Sequence, residues 1–322
     1  MNYSAHASDD LKSVSDKLAR VDPHNADTLS LQLISNMLDD SVKFLLPESG
    51  DVGVVVSSTD MLKFVKMPYE IVAFEYSVPL ALGLDPSGSY GDKRLVRCPK
   101  RIVLVSTFET FSKRFCLNVA SDSDHLIVIS VIFSETSNSW TLVPSAAKIH
   151  LENGVTLGTS DVDGKLSPGL QCRVLPLLPN ALKAIQNSSG YSERELDDHL
   201  VLDLQQEIWC AVNALACINA KNVSQVEIPA PAKLNKKRAQ SGKTPFSVYK
   251  VLDIFLGDAR KFASGSGKRM DSAVRSAMSC AKLSSVRGHF KHRKTGIFWW
   301  STFFRGNASN GVVVKDYNVK LS

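Results

Sequence analysis

The residues whose types and spacing could do chemistry cluster near the end of the chain. Val286-Arg287-Gly288-His289-Phe290-Lys291-His292-Arg293 and the run from Ile297 to Arg305 read as two arms of a β-hairpin, with Lys294-Thr295-Gly296 as the turn. Strand alternation sets Arg287, His289, Lys291 and Arg293 on one face, with Phe290 and His292 opposite. On the second arm Trp299, Phe303 and Arg305 share one face; Phe298, Trp300 and Phe304 share the other. A basic stripe beside aromatics is what a sheet needs to hold phosphates and stack bases, although at least half of these aromatics are expected in a core. The same residues admit a metal-independent nuclease. His289 would be its general base, Lys291 or Arg293 would stabilise charge on the phosphorane, and Tyr317 would assist. Basic hairpins are far commoner than catalytic ones, so binding is the expected role.

Other constellations carry less. Ser264-Gly265-Ser266-Gly267-Lys268 faintly resembles a phosphate loop, but Phe262 and Arg269 stand where Gly and Ser or Thr are needed, which excludes nucleotide hydrolysis. Asp161, Asp163 and Gly164 fall in a polar stretch from Asn153 to Gly169, read as an ordinary loop because no terminal Glu completes a calcium site. His199 and Asp203 have helical ligand spacing without a third partner, the pattern of a surface ion pair. Cys98, Cys116, Cys172, Cys210, Cys217 and Cys280 form no C-x-x-C pair and read as free thiols, with Cys210 and Cys217 as core residues on one helix face. No metal and no cofactor are expected.

Charge gives the hairpin its setting. From Lys233 to Ser322 there are 19 basic residues against four acids, while the preceding 232 residues have a net charge of −9. A basic region on an acidic body points to a polyanion, most often nucleic acid, or to a dock of one on the other. The polyanion reading predicts an exposed positive patch running from Lys236-Lys237-Arg238 and Lys243 to Arg287, His289, Lys291, Arg293 and Arg305. The docking reading instead pairs these groups with acids of residues 1–232.

The elements that must position these residues read as an α+β protein. Thr28 to Leu45 has helical spacing, preceded by a weakly amphipathic helix over 9–20. Strand-like segments follow at Val52–Val56, Ile71–Tyr76, Arg101–Thr107, Phe115–Val119, Leu126–Phe133 and Trp140–Val143. A long Pro- and Gly-rich loop spans Tyr76 to Arg94, and Leu182 to Ile185 reads as a short helix. Glu195 to Ala220 carries an apolar stripe through Leu196, Leu200, Leu204, Ile208, Ala211, Leu215 and Ile218. Asn222–Ile228 reads as a strand, Lys233–Lys243 as a basic helical turn closed by Gly242, and Phe246–Leu256 as a buried strand. Gly311 to Tyr317 gives a last strand. The expected architecture is a mostly antiparallel sheet with a long packing helix and a small β-rich C-terminal unit. Its divisions are N-terminal helices (1–50), an acidic body (51–229) and a basic region (230–322). With no membrane-length apolar run and no signal-like N-terminus, a cytoplasmic protein is expected.

Short motifs along the chain resemble a family of hypothetical bacteriophage and prophage proteins. They are Leu234-Asn235-Lys236-Lys237-Arg238, Gly242-Lys243, Pro245-Phe246, Tyr249-Lys250-Val251-Leu252, Arg287-Gly288-His289-Phe290, Trp300 and Gly311 to Tyr317. Met67-Pro68-Tyr69, Ala73-Phe74-Glu75-Tyr76, Lys100-Arg101-Ile102-Val103-Leu104 and Leu175-Pro176-Leu177-Leu178-Pro179 extend the likeness to the first half. The family tends to place a Pro before its closing Arg-Gly, where this chain has Ser301-Thr302-Phe303-Phe304 before Arg305-Gly306. The resemblance implies a phage origin and host cytoplasm. The expected function is a phage accessory protein that binds nucleic acid through the basic hairpin. The alternatives are a module acting on a host protein, or the nuclease.

Overall fold

The computed structural model describes residues 2–52, 56, 59–78, 99–117, 125–154, 169–220 and 223–252, and the backbone of strands at 155–160, 166–170, 249–254, 282–286, 289–293, 296–300, 303–305 and 307–313. In chain order the elements are α1 (Tyr3–Val21), α2 (Ala26–Asp40), β1 (Val42–Leu45), α3 (Thr59–Leu62), β2 (Ile71–Ser77), β3 (Lys100–Thr107) and α4 (Phe108–Arg114). There follow β4 (His125–Ser134), β5 (Ser139–His150), β6 (Val155–Ser160), β7 (Leu166–Leu170), β8 (Cys172–Pro176), α5 (Pro179–Ser189) and α6 (Glu193–Ile218). The rest are β9 (Val223–Ile228), α7 (Ala232–Gln240), β10 (Tyr249–Ile254), β11 (Lys282–Val286), β12 (His289–Arg293), β13 (Gly296–Trp300), β14 (Phe303–Arg305) and β15 (Asn307–Val313).

An eight-stranded sheet in the order β8-β5-β4-β3-β2-β1-β10-β9 forms the centre. Five of its pairings are antiparallel, while β1 runs parallel to both β2 and β10. Helices cover both faces. Phe44, Phe74, Tyr76, Val103, Val105, Val128 and Ile149 pack under the apolar stripe of α6. Ala73, Ile102, Leu104, Ile127 and Ile129 pack with Leu11 of α1, Ile34 and Leu38 of α2 and Phe108 and Phe111 of α4. Strands covered on both sides have no solvent face, so Ile102–Val105 and Leu126–Ile129 are continuous apolar runs. Every residue of the predicted α6 stripe is buried, and a Ser192–Glu195 capping box starts the helix. The fold is thus α+β with a mostly antiparallel sheet.

Three local expectations change. Val42 and Leu45 continue the helical spacing of α2 but belong to β1, because Ser41 is extended and its hydroxyl donates to Leu38 O at 2.8 Å, ending the helix. Phe115 to Leu117 is not strand. Thr107 accepts the Thr110 N–H and starts α4, Phe115 caps its end and stacks on Phe111 at 4.3 Å, and Cys116 then takes a positive φ. The stretch from Asn153 to Gly169 contains the antiparallel pair β6–β7, entered through Gly154 at φ +72°, in place of a loop. Most of Val52–Val56 and the segment from Leu80 to Arg94 lie outside the described residues.

The sheet also crosses the divisions drawn from composition. β1, from the N-terminal helical segment, and β10, from the basic region, lie side by side within it, with β9 outside β10. Helices α1 and α2 form a layer of the same body. Their close approach rests on small residues: Ser8 and Ser35 hydroxyls lie 2.9 Å apart, and Ser15 Oγ donates to Thr28 O.

Candidate nucleic-acid interface

Helix α7 has two sides of opposite use. Its inner side is riveted to the body through Arg238. That guanidinium donates to Asp9 Oδ2 at 2.6 Å and Thr244 O at 2.6 Å, and lies 4.3 Å from the Phe246 ring. Asn235 exchanges two hydrogen bonds with the Phe246 backbone, at 2.7 and 2.8 Å, folding the following segment back along the helix. Asp9 Oδ1 also accepts the Thr244 N–H, so one acidic residue of α1 holds both ends of this arrangement.

The outer side is basic. Lys233, Lys236 and Lys237 sit at i, i+3 and i+4, which places them on one helix face. All three are exposed, as is Lys243 beyond the Gly242 turn, and none forms an ion pair among the described residues. Of the predicted binding residues on this segment, Lys236, Lys237 and Lys243 are therefore available to a polyanion. Arg238 is not: it pairs with the acidic body, as the docking reading required of it.

Beside the Gly242 turn lies a pocket of about 340 Å³ lined by Lys12, Lys43, Lys243, Asp39 and Thr244. Lys12 is paired with Asp39 at 2.7 Å. Lys43 is buried, and its ammonium donates to Asp39 O and Ser41 O at 2.8 and 2.7 Å. Burial pushes it down to about 8 against the pull of Asp39 and Glu75. No local pattern in the sequence marks Lys43; its only signal is a lysine inside an apolar strand, Val42-Lys43-Phe44-Leu45.

The hairpin is present as the ribbon β12–β13, with His289 opposite Trp300, Lys291 opposite Phe298 and Arg293 opposite Gly296. Directly opposed residues share a face. His289, Lys291 and Arg293 therefore alternate across the strands with Trp300 and Phe298, while Phe290, His292, Ile297 and Trp299 occupy the other face. The second arm is shorter than expected. It stops at Trp300, and Phe303–Arg305 pairs instead with β11, in a sheet ordered β14-β11-β15. Arg305 thus stands on a different sheet from His289, Lys291 and Arg293. Arg287 and Tyr317 lie outside the described residues.

Elsewhere, the four described cysteines are free thiols, with Cys210 and Cys217 buried and burial pushing the Cys217 thiol up to about 12. His199 stacks on Tyr191 at 4.6 Å. Among the described residues no helix is long and apolar enough to cross a membrane. A cluster that sequence reading missed, His125, His150 and Glu152, gathers at one end of β4 and β5. Its local signal is His150-Leu151-Glu152; the 24 residues between the histidines follow no ligand spacing.

Compared with protein-family models, curated proteins and solved structures, the chain matches none.

Proposed function

We propose that this protein binds nucleic acid through its basic C-terminal region, as an accessory protein of the phage kind that the sequence likeness implies. One observation carries the reading: on α7 the single arginine is used up in anchoring the helix, while Lys233, Lys236 and Lys237 share an exposed face without carboxylate partners among the described residues. A structural helix gains nothing from three unpaired like charges on one face, which repel one another. A phosphate backbone supplies the missing counter-charge. The alternation of His289, Lys291 and Arg293 with Trp300 and Phe298 supports the same reading, because phosphates and bases need cations and flat rings at short intervals.

The test is binding to single-stranded DNA, duplex DNA and RNA over a salt series. Affinity should fall steeply with salt. Replacing Lys233, Lys236 and Lys237 with Ala should flatten the log–log slope by roughly 2 to 3, about 0.7 to 0.9 per lost phosphate contact. Circular dichroism should be unchanged, because all three are exposed and none makes a side-chain hydrogen bond or ion pair among the described residues. Loss of intact RNA in the same samples would favour the nuclease. No binding at low salt would favour a protein partner, the reading to which the exposed Val226 and Ile228 on edge strand β9 lend support.

A further inference from the structure

His125 opens β4 and His150 closes β5, and the antiparallel register sets them directly opposite each other. Their rings meet edge to face with centroids 4.1 Å apart. Two residues later, in the 3-10 turn Leu151–Asn153, Glu152 turns back over the pair. Its Oε1 lies 2.9 Å from His125 Nε2 and 3.8 Å from His150 Nδ1. The three ligand atoms all fall within 4.8 Å of one another. Donors around a tetrahedral zinc ion lie about 3.3 Å apart, given bonds of about 2.0 to 2.1 Å. Small side-chain rotations close that difference, because sheet register already holds the two histidines together.

His150 gives an independent pointer. Its side chain is 13% exposed, yet neither ring nitrogen is hydrogen-bonded among the described residues: Nδ1 stands 3.8 Å from Glu152, and Nε2 is buried without a partner. A half-buried imidazole with no hydrogen bond on either nitrogen is a costly arrangement, and a cation at Nδ1 would engage one of the two. The ammonium of Lys148 is drawn aside over the Phe108 ring, at 3.8 Å.

We propose that His125, His150 and Glu152 bind a zinc-class divalent ion with one coordination position open. Two imidazoles and one carboxylate suit Zn²⁺ and its neighbours, whereas Ca²⁺ and Mg²⁺ call for an all-oxygen shell. Three protein ligands leave a fourth place for water. Leu151 and Glu152 line a cleft of about 560 Å³ whose other walls include Thr59, Lys63, Lys66 and Thr107, so the Glu152 carboxylate is reached from solvent. Of the three ligands Glu152, half exposed, is the one that lines this cleft, and His125 is buried, next in sequence to Leu126, another wall residue.

The experiment uses the full chain, stripped with EDTA, dialysed, and titrated with Zn²⁺ and separately with Co²⁺. Calorimetry should show one Zn²⁺ per chain, and Co²⁺ should give the intense visible absorption of a four-coordinate site. Glu152→Gln and His150→Gln should each weaken Zn²⁺ binding by at least the roughly 10–100-fold that losing even an outer-shell partner costs. Glu152→Gln changes only an exposed side chain, so it remains informative if His150→Gln fails to fold. Absence of stoichiometric Zn²⁺ or Co²⁺ binding overturns the proposal. So does binding that both variants retain at full strength.

Discussion

Lys43 is a lysine in a core strand, and the reason lies at the end of α2. The helix leaves carbonyls without intrahelical partners, and the Lys43 ammonium takes those of Asp39 and Ser41. Burial is the larger effect on its proton, bringing it down from 10.5 to about 8. The folded state therefore binds fewer protons than the unfolded chain between those two values, and stability rises with pH across that window. Below about pH 8 the ammonium is charged in both states and the burial penalty stands in full. Denaturant titrations should show the native protein gaining up to about 3 kcal/mol from pH 8 to 10.5 relative to Lys43→Met. A parallel pH dependence in the two proteins would mean that the ammonium is effectively solvated through the neighbouring pocket.

At the scale of elements, the seating of α6 on the sheet depends on Gly50. That residue has φ +67°, and a Cβ built on it would lie 2.6 Å from Cys210 Sγ on α6 and 3.3 Å from the Tyr76 ring on β2. Gly190, at the end of α5, has nearly the same backbone, φ +73°, with nothing within 4 Å. The two positions separate backbone strain from crowding. Gly190→Ala should cost about 1 kcal/mol from the left-handed conformation alone. Gly50→Ala should cost about 2 to 4 kcal/mol, because the added methyl forces α6 or Tyr76 to shift as well. Equal losses in thermal or urea unfolding would show that α6 repacks without strain. A second tie crosses the same interface: Glu207 of α6, 2% exposed, pairs with Arg101 of β3.

At the scale of the whole molecule, the basic region does not begin as a separate unit. β10 stands between β1 and β9 and completes the sheet, with Tyr249 donating to the buried Glu75 carboxylate at 2.6 Å. That carboxylate also accepts the Tyr3 and Ser4 N–H groups at the start of α1, at 2.8 Å each. Acidic body and basic region thus share a core and a hydrogen-bond network. A chain cut after residue 229 should lose cooperative unfolding, since β1 is left an open edge and Glu75 loses a donor. A chain ending at 256 should keep it, retaining the whole eight-stranded sheet. Cooperative melting of the shorter chain would mean that the sheet closes without β10.

Much of the body was legible in the chain itself. The stripe from Leu196 to Ile218, the apolar runs of β2, β3 and β4, the strand at Tyr249–Ile254 and the Gly242 stop after α7 are local patterns, and local backbone preference with burial is enough to produce them. What a neighbour decides was not legible. Ser41 ends a helix whose spacing continues into β1, and that short strand is secured by parallel partners about 30 and 205 residues away in sequence. Arg238 looked like its lysine neighbours until Asp9, 229 residues earlier, was folded against it. His125 and His150 come together only because the β4–β5 register pairs them, and no spacing rule along the chain encodes a register. Composition located the excess positive charge; tertiary structure decided which of its groups anchor the body and which stand exposed, because pairing depends on distance in space.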